Sequence, residues 1–186
     1  MFSIHDRNIT GKFVDFREIK LDDAEFVLSL RLDPDLNKYL SETNPDLIKQ
    51  RKWIEKYLEN NSEEWYFIIQ NKKSEPIGTV RIYDIKGDSF CWGSWIIKPS
   101  ERYYASFEAC IMLYEYAFYT LGFERSHWDV RKENQKIINF HERFGAKIVK
   151  EDELNYYYIF EKEVYDKNRE KYLAIIDSKA KMYEQT

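Results

Sequence analysis

Residues 126–146 read SHWDVRKENQKIINFHERFGA, and a change of period inside this stretch decides the architecture. Ser126 to Val130 reads as a short strand in which alternation puts His127 and Asp129 on one face. From Glu133 the period becomes helical: Ile137, His141 and Phe144 fall on one side, and Gly145 ends the helix. Upstream lies a longer helix, about Tyr104 to Leu121, with a stripe of Phe107, Cys110, Ile111, Tyr114, Ala117, Phe118 and Leu121 and a stop at Gly122. Three strand runs precede it: Trp65 to Gln70, Ile77 to Tyr83 and Phe90 to Ile97, the last two joined by the turn Lys86-Gly87-Asp88. Further upstream, Phe13 to Ile19 reads as a strand. Asp22 or Asp23 then caps a helix running to about Arg31, with Phe26, Val27 and Leu30 on its apolar side. Asn44-Pro45-Asp46 opens a second helix to about Asn60, with Asn44 as cap and Leu47, Trp53, Ile54 and Leu58 inward. Downstream, Ala146 to Val149 and Tyr156 to Glu161 form a closing pair of strands, and Val164 to Thr186 is a polar helical tail of weak periodicity. This succession predicts an α/β or α+β sandwich with a mixed sheet.

Composition narrows the function. The chain has 186 residues, and 44% are hydrophobic, enough for a buried core without disulfides or metal. Charged residues make up 33%, and no apolar run approaches the about 20 residues of a spanning helix. The opening MFSIHDRNITGK lacks an apolar signal core, so a cytoplasmic protein is expected. Cys91 and Cys110 sit in unlike surroundings without CxxC spacing, which argues against a disulfide framework or a zinc site. The net charge of −4 and the lack of a Lys/Arg block argue against nucleic acid. With 15 tyrosines the chain is rich in aromatics that line pockets as readily as they fill cores.

The order of motifs carries more. WIIKPS from Trp95 leads into a helix bearing EYAFYTLGF, then SHWDVRKEN from Ser126 and IINFHERFGA from Ile137. This order resembles the GNAT superfamily of N-acetyltransferases, in the branch that includes ribosomal-protein and aminosugar N-acetyltransferases, over about Phe13 to Glu161. The resemblance implies a mixed, mostly antiparallel sheet splayed in its middle, with helices on both faces. Residues 1–163 would form the acyl-CoA N-acyltransferase domain and 164–186 a C-terminal helical extension. It also implies acetyl-CoA as co-substrate and a small-molecule primary amine as acceptor.

A helix N-terminus offers unpaired backbone N–H groups and a favourable dipole, which make a seat for pyrophosphate. Here that seat would be Arg102, Tyr103, Tyr104, Ala105, Ser106 and Phe107. The strand edge at Trp95 and Ile97 could pair with the pantetheine amides as a β-strand would. The family loop usually reads R/Q-x-x-G-x-G/A, whereas SERYYASFE from Ser100 has no glycine. Ala105 and Ser106 are small enough for close approach where φ is negative; otherwise the loop has lost the cofactor.

Aminolysis of a thioester needs a neutral amine, a polarised carbonyl and a proton for the thiolate. The family commonly places a tyrosine on the last helix as the acid, and the matching position is His141. An imidazole there could protonate the thiolate or deprotonate the amine, or be a hydrogen-bonded core histidine. His127 and Asp129 could form a base with its orienting carboxylate, or a solvated sheet surface. Asn134 matches the family asparagine at the cofactor and also suits a helix cap; Asn139 and Phe140 are further cofactor candidates. Phe90, Trp92 and Ser94 alternate on one strand face, so Trp92 and Ser94 could meet the acceptor, while Gly93 marks a bulge or close approach. Arg31, Asn37 and Tyr39 lie in the stretch that walls the acceptor pocket in the family, or in a plain connecting loop.

Three readings follow. In the first, the chain acetylates a primary amine, an amino group on a nucleotide-linked sugar of surface-polysaccharide synthesis ahead of a protein N-terminal amine. In the second, it is a non-catalytic acyl-CoA-binding or regulatory module of the same fold. In the third, it binds a partner through the C-terminal helix. Such transferases are often homodimers, although no residue here requires it.

Overall fold

A computed structural model describes residues 2–60, 63–99 and 103–184. Strands β1 (Ser3–His5), β2 (Asn8–Thr10) and β3 (Val14–Glu18) lead to helices α1 (Ala24–Leu32) and α2 (Leu47–Glu59). Strands β4 (Trp65–Asn71), β5 (Pro76–Lys86) and β6 (Ser89–Ile97) follow, then helix α3 (Tyr103–Glu115). The chain closes with β7 (Arg125–Arg131), α4 (Gln135–Phe144), β8 (Lys147–Glu151), β9 (Asn155–Glu161) and α5 (Lys162–Glu184). Two compact units divide it: Met1–Ile82 with Ser94–Ala109, and Tyr83–Gly93 with Cys110–Thr186. No helix among the described residues is long and apolar enough to cross a membrane.

In the first unit the strands run antiparallel in the order β1-β2-β3-β4-β5, followed by β6. The β1–β2 hairpin was not expected, because strands of three residues with only Ile9 buried are too short to show a period. Ile19, Ala24, Val27, Ile54, Tyr57, Tyr66 and Ile68 form one buried cluster under α1 and α2. Asp46, not Asn44, caps α2, accepting from the Ile48 and Lys49 amides at 2.9 and 3.2 Å. Of the expected inward residues only Ile54 is buried; Leu47, Trp53 and Leu58 are exposed, and Tyr57 takes the second inward place. Glu108, on the second turn of α3, is fully buried and accepts from the amides of Lys12, Phe13 and Val14 at 2.7, 2.6 and 2.9 Å. That carboxylate ties the chain entering β3 to the helix.

In the second unit the strand order is β5-β6-β7-β9-β8. β6 and β7 pair in parallel, and β7 pairs with β9 antiparallel over seven residues. Every residue from Glu108 to Phe118 is buried, so α3 shows no polar face and its expected stripe is only part of what it buries. Its end widens into a π-turn over Tyr116–Thr120. Tyr114 is a hub, with Phe160 at 5.0 Å, Phe118 at 5.4 Å and Tyr165 at 5.6 Å between ring centroids. The polar tail conceals Tyr165, Tyr172 and Ile176, which α5 buries. Arg169 of α5 binds the buried Glu115 through two hydrogen bonds of 2.7 and 2.8 Å, and the Tyr165 hydroxyl donates to the same carboxylate at 2.8 Å.

Candidate active site

Within the second unit the parallel pairing of β6 with β7 is short. The β6–β7 ladder holds three pairs and ends at Cys91↔His127. The β7–β9 ladder continues to Arg131↔Asn155. Gly93 stands two residues beyond Cys91, and a Cβ there would stand 2.8 Å from the Tyr83 hydroxyl, so close approach explains the glycine. The left-handed residue is the next one: Ser94 has φ 48°, which costs an L-residue about 1 kcal/mol. The Thr79 hydroxyl donates to the Ser94 carbonyl at 2.7 Å and holds that conformation. Strict alternation of Phe90, Trp92 and Ser94 therefore stops at Ser94.

His141 faces inward as its spacing predicts, 4% exposed. Trp128 lies 4.5 Å from it between ring centroids, Phe140 5.4 Å, Trp92 5.6 Å and Tyr158 6.1 Å. Burial among these rings lowers its pKa to about 3, so the imidazole is neutral at physiological pH. Two polar atoms around it, Trp128 Nε1 and the Tyr158 hydroxyl, are buried without a hydrogen-bond partner among the described residues. Native structures leave few such atoms, and each one calls for a partner or a role. Trp92 is itself buried against Tyr114, Trp128 and His141.

His127 and Asp129 are not brought together by a hydrogen bond. His127 Nδ1 lies 2.7 Å from the Ser89 hydroxyl, and Nε2 lies 3.3 Å from Asp84, so its orienting carboxylate is Asp84. Asp84 also accepts from Lys86 at 2.6 Å, and these contacts lower its pKa. Asp129 is exposed. No sequence pattern links Asp84 or Ser89 to His127; only the hairpin and the parallel register do. Burial pushes the Cys91 thiol up to about 11, which removes it as a nucleophile. Among the described residues no cluster of His, Cys, Asp or Glu could hold a metal ion.

Arg102 lies outside the described residues, as do Ser100 and Glu101. Helix α3 begins at Tyr103; Tyr104 stacks on Phe13 at 6.0 Å, Ala105 is buried, and Ser106 and Phe107 are half-buried. Trp95 and Ile97 are half-buried on β6. Glu108 is the acidic side chain of this helix start, and its carboxylate is already committed to three amides. Asn134 caps α4, its Oδ1 accepting from the Ile137 amide at 3.4 Å. Asn139 is exposed and accepts from Gln135, and Phe140 packs 4.9 Å from Phe144. Asn37 lies in a turn, its amide donating to Asp33 O, and the Tyr39 ring lies under Lys38. Arg31 binds Thr43 and Ser41.

The acetyltransferase (GNAT) domain profile matches residues 14–147. The chain belongs to the GNAT acetyltransferase family. A structure described as apo FdhC, a nucleotide-linked sugar GNAT, is 42% identical, with a TM-score of 0.82 over 91% of this chain and 98% of that one. A GNAT-family acetyltransferase from Bacillus anthracis is 18% identical, with a TM-score of 0.71 over 84% of this chain and 99% of that one. The spermidine N-acetyltransferase from Vibrio cholerae, solved with CoA and spermine, is 17% identical, with a TM-score of 0.74 over 83% and 99%. The last two share the fold with this family member. Among curated proteins none matches. The mixed, mostly antiparallel sheet with a C-terminal helix is the GNAT fold.

Proposed function

We propose that the chain transfers the acetyl group of acetyl-CoA to the amino group of a nucleotide-linked sugar. The observation that carries the acceptor is the 42% identity, across nearly the whole of both chains, to a nucleotide-linked sugar GNAT. The residues fit such a donor. Backbone N–H groups from Tyr103 to Phe107 open α3 and would take pyrophosphate, and β6 at Trp95 and Ile97 would take the pantetheine amides. In the second unit, Trp128 Nε1 and the Tyr158 hydroxyl, without a partner among the described residues, fit a ligand with carbonyl oxygens. Bound acetyl-CoA would supply the thioester.

His141 enters this reading as a neutral imidazole, a hydrogen-bond donor at one nitrogen and an acceptor at the other, not as an imidazolium acid. His127, oriented by Asp84, is the candidate base, with Asp129 beside it on the strand. Asn134 shapes the start of α4, with Asn139 and Phe140 on the same helix as further cofactor candidates. Residues 1–163 act as the acyltransferase domain, with 164–186 as its helical extension. Two free buried thiols suit a reducing cytoplasm.

The test is release of free CoA from acetyl-CoA in the presence of nucleotide-linked amino sugars, run beside calorimetry with acetyl-CoA alone. Turnover supports the reading. Binding without turnover on any such sugar removes the acceptor, and no binding at millimolar acetyl-CoA removes the enzyme. The glycine-free start of α3 favours a second reading, an acyl-CoA-binding module without catalysis, for which binding without turnover on any amine is the signature.

A further inference from the structure

Six arginines among the described residues are half-buried: Arg7, Arg17, Arg31, Arg81, Arg125 and Arg169. Five of them pair with a carboxylate, namely Glu18, Asp23, Glu64, Asp88 and Glu115 in turn. Arg31 does not. Its Nε donates to the Thr43 hydroxyl at 2.8 Å, and its Nη2 donates to the Ser41 hydroxyl at 2.9 Å and the Ser41 carbonyl at 3.3 Å. Glu42, between these two residues, is not among its hydrogen-bond partners. A guanidinium whose Nε and Nη2 are held by neutral oxygens keeps its whole charge, and its Nη1 remains to donate to an incoming anion.

Its surroundings point the same way. Burial raises the Tyr66 pKa, and the Arg31 charge and the Thr79 hydroxyl oppose that rise. Thr79 in turn holds the carbonyl of Ser94, the left-handed residue of β6. Within the first unit, Tyr66, Thr79 and Ser94 thus form one run to the left-handed residue of β6, and the Arg31 charge acts on its first member.

We infer that Arg31 is the anion-binding group of the acceptor subsite and takes a phosphate of a nucleoside diphosphate. This deepens the proposed transfer to a nucleotide-linked sugar and rests on it. A polyamine acceptor would meet like charge at this place. Because CoA also carries phosphates, the experiment must separate the two sources.

Uridine diphosphate and thymidine diphosphate are titrated by calorimetry into the full chain saturated with CoA, comparing wild type with Arg31→Gln and Arg31→Lys. Acetyl-CoA is titrated into each variant separately, which also reports folding. The expected result is a loss of about 10- to 100-fold in nucleoside diphosphate affinity for Arg31→Gln, the worth of one charge-assisted hydrogen bond. Arg31→Lys should lose less, and acetyl-CoA affinity should not change. Equal affinity of wild type and Arg31→Gln for the diphosphates would overturn the inference. So would a parallel loss of acetyl-CoA affinity, which would assign the charge to CoA. Wild type that binds acetyl-CoA but neither diphosphate at millimolar concentration also overturns it, leaving acetyl transfer intact. Absence of acetyl-CoA binding would instead remove the transferase reading.

Discussion

Replacing His141 by phenylalanine should change the pH dependence of stability by an amount the structure fixes. The ring is 4% exposed, and burial lowers its pKa from 6.5 to about 3. The unfolded chain therefore takes a proton below pH 6.5 that the folded chain refuses until about pH 3. The sign follows: stability is complete above pH 6.5 and is lost as pH falls toward 3. Each pH unit inside that window removes about 1.4 kcal/mol, so wild type loses about 2 kcal/mol between pH 7.5 and 5.0 on this account. His141→Phe keeps a flat aromatic ring among Trp92, Trp128, Phe140 and Tyr158 and has no proton to bind. Every other titrating group is common to both proteins. Urea unfolding followed by tryptophan fluorescence at the two pH values should thus show the wild type falling about 2 kcal/mol further than the variant. Equal falls would refute the reasoning, and so would an imidazole ring-proton resonance of His141 that moves with a midpoint near 6.5. The outcome bears on mechanism, because a neutral His141 puts no limb near pH 6.5 into the rate profile.

Gly78→Ala should destabilise the fold by about 2 kcal/mol, because its Cβ would stand 2.3 Å from the Ile96 carbonyl and 3.1 Å from Ile97 Cα, both backbone. Gly93→Ala meets only the end of the Tyr83 side chain and should cost less; equal melting temperatures for Gly78→Ala and wild type would count against this account. Arg169→Met leaves the carboxylate of Glu115 buried with the Tyr165 hydroxyl alone, at a cost of about 3 kcal/mol. Adding Glu115→Gln should restore part of that loss, and a double variant no more stable than Arg169→Met would show that the charge was not the cause.

Much of the fold was legible because the signals were local. The inward place of His141 followed from Ile137 and Phe144, and Gly145 adopts the left-handed cap with φ 92°. Helix α2 misled because apolar residues at helical spacing do not reveal which side meets a partner, and Leu47, Trp53 and Leu58 stayed exposed. The tail reads as polar, yet Tyr165, Tyr172 and Ile176 are enough to bury one side of it.

The amino-acid sequence by itself determined the order of strands and helices from β3 onward, the family, and which residue types stand at the ends of β6, β7 and α4. These follow from periods, caps and turn residues acting over a few positions. Only the tertiary structure decided the charge state of His141, which depends on rings from β6, β7 and β9 as well as from its own helix. It likewise decided that Asp84 and not Asp129 faces the His127 ring, and that Arg31, alone among the half-buried arginines of the described residues, has no carboxylate partner there. Electrostatic environment is a sum over neighbours distant in the chain, and no local pattern encodes that sum.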